Sequence, residues 1–456
     1  MTNGGDAPRA LSEPVWLDGV PTHWKIDRLK WSITGLFNGV WGDEPNGIDD
    51  IICVRVADFD RTRLKVTDDP PTRRAIEIKD RTNRLLHTGD LLIEKSGGGD
   101  NQPVGCVVYF DHGYDAICSN FIGRMVIAPG MHPRYWSYAH ASLYTGRLNI
   151  PAIKQTTGIQ NLDTDAYLNQ RVAYPLLEEQ CVIANYLDRE TAQIDALMAA
   201  KERLLTLLAE KRRALITRAV TRGLDPDVPL RDSGLPWLVE VPAHWKFAGF
   251  TKYLRSLVDY RGKTPEKVPS GVFLVTARNI KDGYIDYEAS QEFVEADAYD
   301  EVMQRGKPKI GDLLLTTEAP LGQAALVDRE DIALAQRVIK LDYDPRILLN
   351  EFALVWIRSA PFQWQLGSFA TGSTALGIKG ERLHMLRNLL PPIDEQRAIV
   401  AHIAAETARL DALAAATERS IALLKERRAA LIAAAVTGRI DMLRDAVQQG
   451  KGEVSC

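Results

Sequence analysis

The chain has 456 residues, of which 45% are hydrophobic and 25% are charged, and its formal net charge is −4 at pH 7. These values exclude a mainly disordered or low-complexity chain, and the length allows two to four domains. No apolar run approaches the roughly 18 residues of a membrane helix, and the first ten residues lack the apolar segment of a secretory signal.

Composition also bears on partners and compartment. The slightly acidic balance, with a pI near 6.1, argues mildly against nucleic-acid binding, because phosphate binding usually leaves a basic excess. The cysteines are odd in number and scattered, which favours reduced thiols in a cytoplasmic protein over a disulfide framework or a zinc cluster. They are Cys53, Cys106, Cys118, Cys181 and Cys456.

A short element near the N-terminus occurs twice. Residues 16–25 read WLDGVPTHWK and residues 237–246 read WLVEVPAHWK, so seven of the ten positions are identical. His23 and His244 recur inside this element beside a tryptophan, and we interpret them as structural. Self-similarity at this distance predicts an internal duplication.

A longer repeat predicts two long helices. Residues 178–221 match residues 394–437 over 44 positions without a gap, and 23 of these positions are identical. Apolar residues recur at alternating steps of three and four, and each segment follows proline, starts acidic and ends basic, as helices do. Each helix would extend about 66 Å. Two such helices most simply pair with each other; the alternative is two separate amphipathic helices, each packed on its own domain.

Between the repeats lie two divergent regions, about 30–175 and 250–390, that we predict to be mixed α/β. Short β-rich runs are bounded by glycine, proline and aspartate, and two stretches are helical in pattern. The runs are 51–56, 104–110, 271–275 and 312–315, and the helical stretches are 133–148 and 350–365. The turn-rich segment 222–236 predicts a linker into the second region.

Only islands of sequence survive in both divergent regions. GDLL occurs at 89–92 and again at 311–314, and a loop rich in glycine and threonine occurs at 155–162 and at 371–378. The pattern indicates a duplicated scaffold that carries two different functional regions.

Catalytic motifs are incomplete in this sequence. The Asp-Pro-Pro-Thr at 69–72 lacks the aromatic residue that stacks on a flipped base in amino-methyltransferases. The glycine-rich segment 367–374 has serine where a phosphate loop needs lysine. Glu77-Ile78-Lys79 lacks the second carboxylate of a nuclease metal site, and the eight histidines show no metal-ligand spacing. We therefore expect a chain without a catalytic site.

The repeated Trp…Val-Pro-x-His-Trp element, the two regions with Gly-Asp-Leu-Leu and the Glu-Gln pairs at 179–180 and 395–396 follow in order over nearly the whole chain. In this combination the sequence resembles the specificity subunit of type I restriction–modification systems. The resemblance implies an α+β fold, in which two mixed α/β target recognition domains are separated by two long antiparallel helices with a pseudo-twofold duplication. The implied parts are recognition domains at 1–177 and, with its linker, 223–393, helices at 178–222 and 394–437, and a tail at 438–456.

The resemblance also implies a function. The chain would read an asymmetric bipartite target in double-stranded DNA, one half-site per domain, and dock two methyltransferase subunits and restriction/translocase subunits. It would be cytoplasmic, without a membrane, a metal or a cofactor of its own. S-adenosylmethionine would bind the methyltransferase, and the assembled complex would be an adenine-N6 methyltransferase and ATP-dependent endonuclease. DNA contact by the partners would reconcile this role with the acidic pI.

Candidate DNA contacts are polar or basic residues near the islands and in local basic clusters, because bases are read by Arg, Lys, Asn and Gln and phosphates by cations. In the first domain they are Arg55, Arg73, Arg74, Lys95, Ser96, Asn120, Lys154, Gln155, Thr157, Gln160 and Asn161. In the second they are Lys263, Arg278, Asn279, Thr316, Thr317, Gln336, Arg337, Ser373 and Thr374.

Two other classes of function stay open on the sequence alone. A self-contained DNA methyltransferase or nuclease would bind S-adenosylmethionine or Mg²⁺ without partners. A coiled-coil scaffold that does not bind DNA would agree with the net acidity. Cofactor binding by the lone chain identifies the first, and absence of salt-sensitive, sequence-selective DNA binding identifies the second.

Overall fold

The computed structural model describes residue 17 and residues 19–99, 101–156, 158–260, 265–372 and 376–440. The chain divides into two units: the first comprises residues 1–201 and 419–456, and the second comprises residues 202–418. Within the ranges that are described, no helix is long and apolar enough to cross a membrane.

The first unit begins with a mixed α/β domain. Its elements are β1 (Lys25–Arg28), β2 (Ile33–Asn38), β3 (Asp50–Val54), β4 (Phe59–Asp60), β5 (Lys65–Val66), β6 (Arg73–Ala75), α1 (Ile78–Arg81), β7 (Leu91–Glu94), β8 (Ser96–Gly97), β9 (Val107–Tyr109), β10 (Ala116–Cys118), β11 (Ile122–Ile127), α2 (Pro133–Thr145), β12 (Ile153–Thr156), β13 (Ile159–Leu162), α3 (Thr164–Leu168) and β14 (Arg171–Tyr174). The first long helix, α4 (Leu177–Arg222), follows and continues into the second unit.

The second unit repeats this composition. Its elements are β15 (Leu230–Leu235), β16 (Leu238–Pro242), β17 (Lys246–Gly249), β18 (Leu254–Asp259), β19 (Val272–Val275), β20 (Ile280–Lys281), β21 (Tyr284–Ile285), β22 (Phe293–Val294), α5 (Tyr299–Val302), β23 (Leu313–Thr316), β24 (Ala324–Leu326), β25 (Ile332–Leu334), β26 (Val338–Tyr343), α6 (Asn350–Ile357), α7 (Ala360–Phe369) and β27 (Arg387–Leu390). The second long helix, α8 (Ile393–Val436), returns to the first unit.

The two units have the same strand order in their main sheets. In the first unit the order is β2-β11-β7-β9, extended by β5 and β4, and in the second it is β18-β26-β23-β24. The strands β7 and β23 contain the Leu-Leu pairs of GDLL, and all four residues of each are buried, as expected for central strands of apolar sequence. The predicted mixed α/β organisation is confirmed, and each predicted β-rich run contains a strand.

A smaller sheet in each unit also agrees in its pairing. Strand β3 pairs parallel with β10 and antiparallel with β6, and strand β19 pairs parallel with β25 and antiparallel with β22. The predicted helical stretch 350–365 is divided into α6 and α7, because Ser359 and Pro361 begin a new helix.

The Glu-Gln pairs attach each long helix to the domain that precedes it. Glu179 accepts hydrogen bonds from the Trp24 indole at 3.1 Å and from His23, and Glu395 accepts them from the Trp245 indole at 2.9 Å and from His244. In each unit the repeated His-Trp element therefore holds the start of the long helix against the domain. This confirms the structural interpretation of both histidines.

The neighbouring glutamines form the second half of the same attachment. The Gln180 carbonyl accepts the His132 backbone N–H, just before α2, and its amide donates to the Pro175 carbonyl. Gln396 repeats both bonds with Leu349 and Pro391. Because each glutamine is completely buried, it satisfies backbone groups that would otherwise lose their hydrogen bonds.

The long helices pack through only part of the predicted apolar stripe. Ile183, Leu187 and Ile194 of α4 are buried, as are Ile399 and Ile403 of α8. Other leucines of the same stripe and its flanks stay exposed, by 37–64% of their surface. They are Leu197, Leu204, Leu207, Leu413 and Leu423.

Most of the cysteines that the structure describes are free thiols in the core. Burial raises the pKa of Cys53 to about 11 and the pKa of Cys106 and Cys118 to about 12, so these thiols are unreactive at neutral pH.

Candidate nucleic-acid interface

The aspartate of GDLL is buried in both units, where it bonds to a cationic side chain and to a backbone N–H group. Asp90 accepts the guanidinium of Arg124 on β11 at 2.6 Å and the backbone N–H of His87 at 2.7 Å. Asp312 accepts the ammonium of Lys340 on β26 at 2.8 Å and the backbone N–H of Lys309 at 2.9 Å. Each pair ties the GDLL strand to the next strand of its sheet and so fixes the residues that follow.

Three segments meet at the end of each GDLL strand. In the first unit, Lys95 donates its backbone N–H to Phe121 at 2.8 Å, and its carbonyl accepts the N–H of Leu162 at 2.8 Å. In the second unit, Thr317 donates to Arg337 at 2.9 Å, and its carbonyl accepts from Ile378 at 2.9 Å. The third residue after GDLL, the residue before the next sheet strand and the end of the Gly/Thr loop therefore form the same junction twice. We call this junction the strand-end site.

Side chains of the first strand-end site form a polar row across three strands. Lys154, Asn161 and Ser96 lie opposite one another on β12, β13 and β8, and Ser96 donates to the Asn161 side-chain oxygen at 2.7 Å. Lys154 and Asn161 are exposed. Lys154 is also paired with Asp163 at 2.7 Å, so part of its charge is balanced within the domain.

Beside this row lie a lysine and two asparagines. The Lys95 ammonium donates to the Asn38 side-chain oxygen at 2.5 Å, and burial lowers the pKa of Lys95. Asn120 is exposed and precedes Phe121, which is itself 49% exposed. The site thus offers cationic and amide donors around one exposed aromatic ring, which are the groups that recognise nucleic acid.

The second strand-end site has different side chains at the same positions. Arg337 takes the place of Phe121, Gln336 that of Asn120, and Glu318 that of Ser96. Arg337 is exposed and forms an ion pair with Glu318 at 2.7 Å, while Gln336 is partly exposed. Arg278 is also exposed on this unit.

Several predicted contact residues are buried and bonded internally, which corrects their assignment. The Asn279 amide donates to the carbonyls of Asp286 and Ser290, and the Thr316 hydroxyl donates to the Pro320 carbonyl at 2.6 Å. Three further predicted contact residues are also buried, and their side chains form hydrogen bonds with backbone groups: Thr317, Gln160 and Arg74. All five side chains are buried inside their domains.

Two predicted arginine contacts of the first domain are held by neighbouring groups. Arg74 donates to Glu44 at 2.6 Å and lies 4.6 Å from the centre of the Trp41 ring, while Arg55 is held by Asp58 through two hydrogen bonds. Arg73 on β6 is exposed, as is Gln155 on β12. Thr157, Lys263, Ser373 and Thr374 lie outside the described residues.

Comparison with known proteins gives this geometry a context. No family model matches the sequence. The EcoBI specificity subunit of a type I restriction enzyme from Escherichia coli is 25% identical over 304 residues, which cover 64% of this chain and 63% of that subunit. The EcoKI specificity subunit from Escherichia coli strain K12 is 22% identical over 340 residues, which cover 73% and 70%.

These relatives are type I specificity subunits. The resemblance predicted from the sequence is thereby confirmed. A solved structure of a type I restriction–modification system contains a chain that is 17% identical and matches with a TM-score of 0.64, over 92% of this chain and 99% of that chain. At this identity the match supports the shared fold. The present chain spans 63% of the length of the EcoBI subunit.

Two residues of the strand-end sites were missed in the sequence. Glu318 could have been found by aligning the two GDLL islands, since Ser96 and Glu318 both stand four residues beyond the last leucine of GDLL. Asn38 gave no such signal, because it reaches Lys95 only through the pairing of β2, β11 and β7.

Proposed function

We propose that this chain is the DNA-recognition subunit of a type I restriction–modification complex and reads an asymmetric bipartite target. Residues 1–177 would read one half-site and residues 223–393 the other, each through its strand-end site. The observation that carries the proposal is that one junction is built twice with different side chains. Lys95, Asn120 and Phe121 occupy one copy, where Thr317, Gln336 and Arg337 occupy the other.

Helices α4 and α8 would separate the two recognition domains as an antiparallel pair and would dock two methyltransferase subunits. In the first unit Asp195 of α4 pairs with Arg428 of α8, and in the second unit Arg212 of α4 pairs with Asp411 of α8. Going forward along α4 therefore means going backward along α8, which supports the antiparallel arrangement. The exposed leucines of both helices support a partner surface, because such apolar side chains commonly mark interaction sites.

The chain would contribute no catalytic group. We place adenine-N6 methylation and its S-adenosylmethionine in the methyltransferase subunits, and ATP-dependent cleavage in the restriction subunits, and the assembly would be cytoplasmic. The acidic balance of the chain fits this division, because partner subunits would supply part of the phosphate contact.

Methylation mapping tests the proposal directly. The chain is expressed with the methyltransferase from the same host in a strain without other adenine methylation, and methylated adenines are located across the genome. We expect one asymmetric target made of two specified half-sites around an unspecified spacer. A continuous target, or no methylation by a complex that has assembled, contradicts the proposal.

The lone chain distinguishes the other classes of function. Tight calorimetric binding of S-adenosylmethionine or Mg²⁺ by the chain without partners would indicate a self-contained methyltransferase or nuclease. A complex that forms but shows no salt-sensitive, sequence-selective DNA binding would indicate a scaffold.

A further inference from the structure

Arg337 has an unusual backbone conformation at the second strand-end site. Its φ is +78°, in the left-handed region that side chains other than glycine rarely adopt. The Arg337 carbonyl accepts two hydrogen bonds from Thr317, from the backbone N–H at 2.9 Å and from the hydroxyl at 3.3 Å. Because Thr317 is buried and follows the central strand β23, the strained residue is held in place from the core.

The guanidinium of Arg337 is held along one edge. Its Nε atom lies 2.7 Å from the Glu318 carboxylate, and both side chains are about half exposed. Within the part of the chain that the structure describes, the two terminal Nη groups donate no hydrogen bond. The ion pair therefore fixes the direction of the side chain and leaves its two-donor end open to solvent.

Glu318 is in turn positioned by the Gly/Thr loop. Glu318 forms a β-bridge with Gly377, and the next residue, Ile378, donates its N–H to Thr317. A Cβ atom added at Gly377 would lie 3.1 Å from the Glu318 Cβ and 3.4 Å from its carboxylate oxygen Oε2. Because Gly377 has no side chain, it leaves room for the Glu318 carboxylate.

A guanidinium with two parallel free donors matches one base edge better than the others. Guanine presents the acceptors N7 and O6 side by side in the major groove, and arginine binds them with two hydrogen bonds. Lysine is a point charge and cannot reproduce this geometry. The equivalent position in the first unit is Phe121, which has no donor to offer.

We propose that Arg337, oriented by Glu318, reads one guanine in the half-site of the second recognition domain. Glu318 is a positioning residue, since it acts through Arg337. This inference rests on the proposed function, and it assigns a base to a side chain. The first recognition domain reads its half-site without an equivalent contact.

Variants of the full chain, assembled with the methyltransferase, test the assignment by methylation mapping and competition binding. Arg337→Gly removes the side chain and relieves the positive φ, so it preserves the fold. We expect it to lose the preference for guanine at one position by about tenfold to a hundredfold. The other half-site stays unchanged. Arg337→Lys should lose the same preference although it keeps the charge.

Glu318→Gln tests the positioning role. It should weaken the preference at the same base position, and it should add little to Arg337→Gly because both changes act on one contact. Arg329→Ala is the matched control, since Arg329 is also an exposed arginine paired with a carboxylate, Asp331, and it should leave the target unchanged.

The outcomes separate this inference from the proposed function. A wild-type complex that shows no specific target refutes the proposed function. If the wild type has a specific target but both Arg337 variants keep every base preference, the assignment of Arg337 is wrong. Uniform loss of affinity for all sequences, with a shallower salt dependence, would make Arg337 a phosphate contact and would also overturn it.

Discussion

Arg428 of α8 forms a partly buried ion pair with Asp195 of α4, with its Nε atom 2.9 Å from the carboxylate. The exchanged pair, Arg212 of α4 with Asp411 of α8, occurs in the second unit. In the aligned repeat, Asp195 corresponds to Asp411 and Arg212 to Arg428. The same two positions of the repeat therefore supply both ion pairs, each time with the aspartate on one long helix and the arginine on the other.

We predict that the two pairs contribute unequally to stability. Arg428→Ala should lower the stability of the helix pair in the first unit by about 2–3 kcal/mol, because it leaves the Asp195 carboxylate, only 17% exposed, without its partner. Arg212→Ala should cost less than about 1 kcal/mol, since Asp411 is 54% exposed and water screens the pair.

Hydrogen exchange of the peptides around 195 and 428 measures the first effect, and peptides around 212 and 411 measure the second. Exchanging the charges, with Asp195→Arg and Arg428→Asp together, should restore part of the lost protection. Equal effects of the two alanine variants would show that burial does not decide the strength of these pairs.

A second prediction concerns Lys95 in the first strand-end site. Among the described residues no carboxylate forms an ion pair with Lys95, and its ammonium is held by Asn38. A lysine acts as a point charge, so we expect it to bind a DNA phosphate rather than a base. Lys95→Met should weaken binding about equally for all sequences and should lower the salt slope by about one.

Binding of the assembled complex to specific and unrelated duplexes, over a range of salt concentrations, measures this effect. Lys154→Met is a suitable comparison, because Lys154 is already paired with Asp163 and should lower the slope less. A changed base preference in one half-site with an unchanged salt slope would contradict the phosphate assignment.

A third prediction follows from His140 in the core of the first unit. This side chain is completely buried, its Nδ1 atom lies 2.8 Å from the Tyr167 hydroxyl, and burial lowers its pKa to about 3. In the unfolded chain the pKa is about 6.5. Because the folded pKa is the lower one, the neutral histidine stabilises fully above pH 6.5. This stability is lost as the pH falls from 6.5 towards 3, by about 2 kcal/mol at pH 5.

Calorimetric unfolding at pH 7.5 and pH 5.0 measures the loss. His140→Asn keeps a polar group near the Tyr167 hydroxyl and cannot take up the proton, so its stability should depend less on pH than that of the wild type. His402→Asn is the control, because His402 is exposed on α8. An equal pH dependence of the wild type and His140→Asn would show that His140 is not the group that titrates.

The sequence patterns that predicted structural elements correctly are either local or repeated within the chain. The long helices follow from apolar spacing within one segment, and the His-Trp and Glu-Gln attachments follow from their double occurrence. Residues that come together from distant strands gave no such signal, as with Lys154, Asn161 and Ser96 on β12, β13 and β8. Their alignment depends on strand register, which is set by the whole sheet.

Polar residue type alone misled the choice of contact residues. Thr316 and Asn279 stand near the islands and resemble base-reading residues, yet their side chains are used to satisfy backbone groups inside the domain. Buried polar side chains of this kind are needed wherever a loop leaves a strand, because the backbone loses its ladder partners there. Sequence cannot separate these two uses of the same residue types.

The last prediction tests whether α4 and α8 set the distance between the half-sites. In the proposed antiparallel pair, Asp195 of α4 lies opposite Arg428 of α8 and Arg212 opposite Asp411, so the positions after Ala199 and after Leu423 would be opposite each other. A seven-residue insertion at both positions keeps the apolar seam in phase. It lengthens each helix by about 10 Å. DNA rises about 34 Å in 10 base pairs, so the spacer in the methylated target should grow by about three base pairs.

The half-site sequences should not change, because no residue of either strand-end site is altered. A seven-residue insertion in α4 alone is the control: it breaks the pairing of Asp195 with Arg428 or of Arg212 with Asp411, and assembly or activity should fall. Methylation mapping of both variants decides the outcome. Retained activity with the original spacer would mean that the helices do not position the recognition domains, whereas altered half-sites would mean that the helices themselves contact bases.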